Sequence, residues 1–191
     1  MSFINSIKEF DTQLFLFLNS KHNTFFDFVM YWASNRLVWI PLYLFFCFLA
    51  YKQTGKHIWL VILAAFLLIA LSDQVSNHVF KNTFLRYRPC HNLVIQDKVH
   101  VNGDCGGTYG FVSSHAANTF ALAVFLSLFF RKRINYFALF IFLWAAFVSY
   151  SRIYNGVHYP ADVAVGAIIG ILIGYLVFIG YRTINLRLDK Q

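Results

Sequence analysis

The chain has 191 residues, of which 59% are hydrophobic, 20% aromatic and 13% charged, and its formal net charge is +8. Soluble domains carry about 25% charge, so the composition excludes an ordinary soluble monomer and predicts an integral membrane protein of one domain, residues 1–191. The positive charges flank apolar segments and form no basic run with interleaved stacking aromatics, which argues against a nucleic-acid partner and for membrane anchoring and phosphate binding.

The first residues, MSFINSIKEFDTQ, lack the positive start, apolar core and small-residue cleavage site of a signal peptide. FDTQLFLFLNS and TFFDFVMYWAS are apolar but short, with Asp11, Lys21, Asn23 and Asp27 scattered through them. They predict two amphipathic helices at the membrane interface, with a tilted span over residues 10–33 as the alternative. A bilayer core of ~30 Å takes roughly 20 apolar residues per helix. On that measure residues 36–51, 57–80, 115–130, 134–150 and 160–181 are five spans, the third of them short. The expected fold is therefore all-α: a polytopic bundle of about five transmembrane helices plus N-terminal interfacial helices, with a motif-bearing core over residues 57–181. Cys47 falls inside the first span and reads as a packing residue. Residues 86–112 make the one sizeable polar loop, and long ordered loops in compact folds tend to be functional.

Lysine and arginine set the expected topology. With five spans, one face carries Lys52, Lys56, Arg131, Lys132, Arg133, Arg182, Arg187 and Lys190, and reads as cytoplasmic. The other face holds the N-terminal region, the long loop and the SRIYNGVHYPAD break. This reading places the protein in a bacterial inner membrane with that second face toward the periplasm or exterior.

Three polar clusters fall on the outer face. KNTFLRYRP brings Lys81, Arg86 and Arg88 to the end of the second span. VSSHAAN opens the third span with Ser113, Ser114 and His115. SRIYNGVHYPAD ends the fourth span with Arg152 and opens the fifth with His158 and Asp162. Pro160 suits an early helical position, because its missing N–H is unneeded there. Asp162, in the first turn, can then accept a hydrogen bond from one nitrogen of His158, fixing the tautomer and leaving the other nitrogen as a nucleophile. Helix N-termini, cationic groups and serine donors together suit a phosphate. His115 could protonate a leaving oxygen. Asp73, Asn77 and Lys81 are spaced i, i+4, i+8, which would stack them on one face with the first two supporting Lys81 or bridging helices.

At these spacings the clusters resemble the signature of the type 2 phosphatidic acid phosphatases, a superfamily shared with vanadium haloperoxidases and bacterial acid phosphatases. Lys81 is followed by six residues and Arg88-Pro89. Ser151-Arg152 is followed by five residues, His158, three residues and Asp162. The middle motif departs, because Val112-Ser113-Ser114-His115 stands where the family has Pro-Ser-Gly-His. The resemblance implies a metal-independent, cofactor-free phosphatase. His158 attacks phosphorus to form a phosphohistidine, Asp162 orients it, and His115 protonates the leaving group. Lys81, Arg88, Ser113, Ser114 and Arg152 hold the phosphate oxygens, and water hydrolyses the intermediate.

The expected substrate is a lipid phosphate, with undecaprenyl pyrophosphate, phosphatidylglycerophosphate, phosphatidic acid and the phosphates of lipid A all compatible. Rival readings are a lipid phosphotransferase, a non-catalytic protein that binds anionic lipid, and a soluble haloperoxidase, which five spans disfavour. The sequence is silent on oligomeric state. Cys90 and Cys105 share the outer loop, where an oxidising compartment would let a disulfide persist. In the chain-entropy model, closing a loop of about 15 residues contributes roughly 3 kcal/mol.

Overall fold

The computed structural model describes residues 3–131 and 134–188. Helix α1 (Phe3–Asn19) and helix α2 (Thr24–Ser34) come first. They are separate because the Asn23 side chain accepts the Phe26 amide at 3.0 Å, an N-cap that starts α2 afresh. At 11 residues, α2 is about 17 Å long and too short to cross a bilayer.

After a 3-10 turn at Arg36–Trp39 come α3 (Ile40–Thr54) and α4 (Ile58–Gln74). Helix α4 continues through a π-helical stretch, Val75–Lys81, and ends in the single turn α5 (Asn82–Phe84). The remaining helices are α6 (Ser114–Phe130), α7 (Phe137–Tyr154) and α8 (Pro160–Leu188).

Among the described residues, three stretches are long and apolar enough to cross a membrane: Arg36–Phe84, Phe137–Tyr154 and Pro160–Leu188. The first, of 49 residues, folds back at Gly55. The Ser34 carbonyl meets His115 at the start of α6, Gln53 donates to the Phe129 carbonyl near its end, and Lys81 is back beside Ser114. Counting both limbs and the shorter apolar helix α6, the bundle has five passes.

Helix α6 is the central pillar, with most of its residues buried. Helix α8 lies against it along Gly166, Gly170 and Gly174, whose spacing of four puts them on one face. A Cβ at Gly166 would sit 2.6 Å from the Ser113 carbonyl, and at Gly170 and Gly174 it would collide with the carbonyls of Ala117 and Ala121. Small residues at such a seam let two backbones approach closely. The seam fixes the start of α8 against the start of α6, where the Ser113 amide donates to the Asp162 carbonyl at 3.0 Å. Large apolar side chains such as Phe45, Phe66, Leu172 and Leu176 point outward, as a lipid solvent requires.

Several expected boundaries move. The fourth span runs on to Tyr154, so Arg152 is helical, and the fifth reaches Leu188. Cys47 is exposed, not packed in the core. At the end of the bundle opposite His115 lie Lys52, Lys56, Arg131, Arg182 and Arg187. Lys132, Arg133 and Lys190, counted with them in the topology reading, lie outside the described residues.

Candidate active site

Helix α7 ends because Gly156 takes φ +77°, a left-handed turn that a side chain would oppose, since a Cβ there would lie 2.6 Å from the His100 carbonyl. The turn folds the chain back so that the amides of Val157 and His158 both donate to the Arg152 carbonyl, at 3.1 and 3.2 Å. This draws Arg152 and His158 together. Pro160 then opens α8, and Asp162 sits in its first turn.

His158 is 2% exposed and Asp162 0%. The His158 Nδ1 lies 3.4 Å from Asp162 Oδ2, which also accepts the Tyr159 amide at 3.0 Å. Arg86 donates to Asp162 Oδ1 at 2.7 Å and to Asp11 Oδ2 at 2.7 Å, while its guanidinium stacks over Tyr159. A carboxylate so deeply buried needs a counter-charge of this kind. Arg86 therefore leaves the cationic cluster of the KNTFLRYRP segment and works on the far side of Asp162. Burial first, and then the positive charges of Arg88, Arg152 and Lys81, hold the His158 imidazole well below its usual range. This favours the neutral ring, the form in which a histidine nitrogen can act as a nucleophile.

Beside His158 opens a polar cavity of about 140 Å³ lined by Arg36, Asp73, Asn77, Lys81, Arg88, Ser114, His115, Arg152 and His158. Four cationic side chains thus face one carboxylate. Arg152 Nε is buried there without a hydrogen-bond partner, so a donor stands ready for an anion. Lys81 Nζ donates to Asn77 Oδ1 at 2.7 Å and to Ser114 Oγ at 3.0 Å. Asp73 instead accepts from Asn118 Nδ2 at 3.0 Å. The regular i, i+4, i+8 stack is interrupted by the π-helical stretch, whose wider turn rotates the end of the helix. Ser113 does not line the cavity: its hydroxyl is turned to the Ala116 amide at 3.4 Å as the N-cap of α6. His115 faces the cavity with Nε2 3.2 Å from the Ser34 carbonyl.

The long polar loop over residues 86–112 completes the wall. Arg88 Nη1 donates to the Cys105 carbonyl at 3.0 Å and Nε to the Tyr109 carbonyl at 3.3 Å. Burial lowers the pKa of Arg88, against the pull of Asp162 and Asp104, but a guanidinium stays charged. Cys90 and Cys105 are joined as a disulfide, with Cα atoms 6.3 Å apart, and so close the loop around Arg88.

Compared with known proteins, residues 59–186 match the family model described as the PAP2 superfamily. The chain belongs to the PAP2 superfamily. It is 39% identical over 191 residues to a lipid A 4′-phosphatase of Bacteroides thetaiotaomicron, an alignment covering 98% of this chain and 84% of that protein. Among solved structures it resembles LpxE of Aquifex aeolicus, with TM-score 0.64 and 29% identity over 87% of this chain and 93% of that one. The fold is also that of the PAP2-type phosphatidylglycerolphosphate phosphatase from Bacillus subtilis, with TM-score 0.71 and 18% identity over 91% and 85% of the two chains. The protein is a membrane lipid phosphatase of the PAP2 superfamily.

Two residues of this PAP2 site carry no mark in the motifs. Arg36 comes from the turn after α2 and looks in sequence like any anchoring arginine. Gly110, two residues before VSSHAAN, leaves room where His158 and Asp162 meet Arg88. A Cβ there would lie 3.0 Å from Arg88 Cγ, 3.3 Å from Asp162 Oδ2 and 3.5 Å from His158 Nδ1. Gly110→Ala is expected to lower kcat by about 10–100-fold in a protein that still folds, because small displacements of reacting groups are costly. Kinetics on the purified variant check this, and unchanged kcat would show that the wall yields freely.

Proposed function

We propose that the protein removes the 4′-phosphate of lipid A, at the periplasmic face of a bacterial inner membrane, through a phosphohistidine on His158. The observation that carries the chemistry is the cavity itself: four cations, one of them with an unpartnered buried donor, converge beside a neutral histidine held by a buried carboxylate.

With Nδ1 of His158 turned to Asp162, Nε2 attacks phosphorus. The bond to the leaving oxygen breaks as His115 supplies a proton. Lys81, Arg88, Arg152 and Ser114 take the phosphoryl oxygens, and their charge-assisted bonds strengthen as charge gathers in the transition state. Water, giving its proton to His115, then attacks the phosphohistidine and releases phosphate. Ser113 supports this site by capping α6, and Asn77 by steadying Lys81.

A lipid substrate is supported by an apolar groove of about 330 Å³ between α3, α4, α6 and α7, lined by residues such as Phe46, Ile62, Ile69, Leu122 and Trp144. Arg36 and His115 belong to both the groove and the cavity, so an acyl chain in the groove delivers its phosphate to the cations. The lipid A reading is supported by the 39% identity to a lipid A 4′-phosphatase. The face is supported by the basic residues gathered at the other end.

Arg36→Ala is expected to raise KM for a lipid phosphate about tenfold while changing kcat little, because Arg36 stands exposed at the junction and binds without touching the reacting atoms. The substrate test is phosphate release from a detergent-solubilised panel of lipid A, phosphatidylglycerophosphate, phosphatidic acid and undecaprenyl pyrophosphate. Lipid A should be turned over fastest, with mass spectrometry locating the loss at the 4′ position. Faster turnover of another member would reassign the substrate, and transfer of phosphate to an added alcohol in place of water would make the enzyme a transferase.

A further inference from the structure

We propose that His22, Asp27 and His100 form a binding site for a zinc-like divalent cation on the outer end of the protein, separate from the phosphate cavity. One ring nitrogen of each histidine and one oxygen of Asp27 lie within 4.8 Å of one another. The three residues come from different segments: the turn between α1 and α2, the first turn of α2, and the outer loop. None of them lines the phosphate cavity.

The arrangement is held from outside. The imidazoles of His22 and His100 stack face to face, with centroids 3.8 Å apart and planes 4° from parallel. His100 Nε2 lies 2.8 Å from Asp27 Oδ1, which also accepts from the Tyr154 hydroxyl at 2.8 Å. The His100 backbone is gripped at both ends by Asn19, whose Oδ1 accepts its amide at 2.8 Å and whose Nδ2 donates to its carbonyl at 3.0 Å. Asn102 Nδ2 donates to the Asp27 carbonyl at 2.7 Å. These contacts fix two of the three ligands before any ion arrives, and they orient the carboxylate as outer partners do around metal ligands.

Two imidazoles and one carboxylate suit zinc, which binds at roughly 2.0–2.2 Å from N and O in a tetrahedron, with water in the fourth position. Tetrahedral ligand atoms stand roughly 3.3 Å apart at those bond lengths. His100 and Asp27 need only open slightly, while His22, on an exposed turn, swings out of the face-to-face stack so that its ring nitrogen points at the ion in the plane of its own ring. Binding displaces any proton on His100 Nε2 to solvent, and the hydrogen bond to Asp27 is replaced by two bonds to the ion. The other histidine–cysteine cluster, Cys90, His91 and Cys105, is not comparable, since its thiols are joined.

The ion takes no part in phosphoryl transfer. It fastens the α1–α2 turn to the outer loop and, through Tyr154, to the end of α7. At its other end α2 presents the Ser34 carbonyl to His115, so the ion steadies the element on which that histidine rests.

The test uses the full chain in detergent, stripped with chelator, desalted and titrated with Zn²⁺ by calorimetry, with Co²⁺ as a spectroscopic probe. The expected result is one equivalent bound, a rise in Tm, and the visible absorption of tetrahedral Co²⁺. His22→Ala and Asp27→Asn should each weaken binding at least about tenfold and remove the Co²⁺ spectrum. His22→Ala should keep its zinc-free phosphatase activity on an aryl phosphate, which shows that it folds. No saturable binding by the wild type, or binding by both variants as tight as the wild type, overturns the site. Either outcome leaves the phosphatase reading untouched.

Discussion

His158→Ala is expected to lower turnover of any lipid phosphate by about four orders of magnitude or more, because in the proposed mechanism that residue makes the bond to phosphorus and both chemical steps pass through it. The imidazole is 2% exposed and stands between Asp162 and the cationic wall of the cavity, where no other neutral imidazole contacts Asp162. Loss of fold would imitate loss of mechanism. His158→Gln, which keeps a hydrogen-bonding side chain beside Asp162, should therefore be equally inactive while retaining the wild-type Tm. Activity of either variant within about tenfold of wild type would remove His158 from the nucleophile's role.

His115→Ala should cost about a thousandfold on an alkyl or sugar phosphate and much less on an activated aryl phosphate, whose leaving group departs without a proton. The contrast follows from position. His115 lines both the cavity that holds His158 and the apolar groove in which the proposed mechanism seats the leaving lipid. A residue that only bound phosphate would hurt both substrates alike. Measuring kcat/KM on both substrate types separates these cases, and equal losses would move His115 from acid to binder.

The all-helical fold and its five passes were legible because lipid imposes a length and an apolarity that few other constraints override. Helix ends were less legible. SRIYNGVH reads as a break, yet α7 runs through Ser151 and Arg152 and stops only where Gly156 can take its left-handed turn. The π-helical stretch at Val75–Lys81 has no sequence signal; the Asn77–Lys81 contact kept its i, i+4 spacing, while Asp73 turns to Asn118 on α6.

Lys81, Arg88, His115, Arg152, His158 and Asp162 could be placed together from spacing, since antiparallel passes return each cluster to one end of the bundle. Ser113 could not be told from Ser114, because only the start of α6 decides which serine caps and which faces the cavity. Arg36, Asp11 and the set His22, Asp27 and His100 lie far from the clusters in sequence. Contacts made between distant segments leave no periodicity to read. Arg86 was placed in the KNTFLRYRP cluster with no partner named, because its partners come from distant segments: its side chain joins Asp162 to Asp11 at the start of α8.

The most direct test of the account is to trap the intermediate. The enzyme would be mixed with a lipid phosphate, quenched in alkali within milliseconds, where a phosphoramidate bond survives, and digested for mass spectrometry. The expected result is a phosphoryl group on the peptide containing His158, at a nitrogen of its imidazole, appearing before free phosphate and absent in His158→Gln. A phosphoryl group on another residue, or full turnover with no phosphorylated enzyme at any quench time, would contradict it.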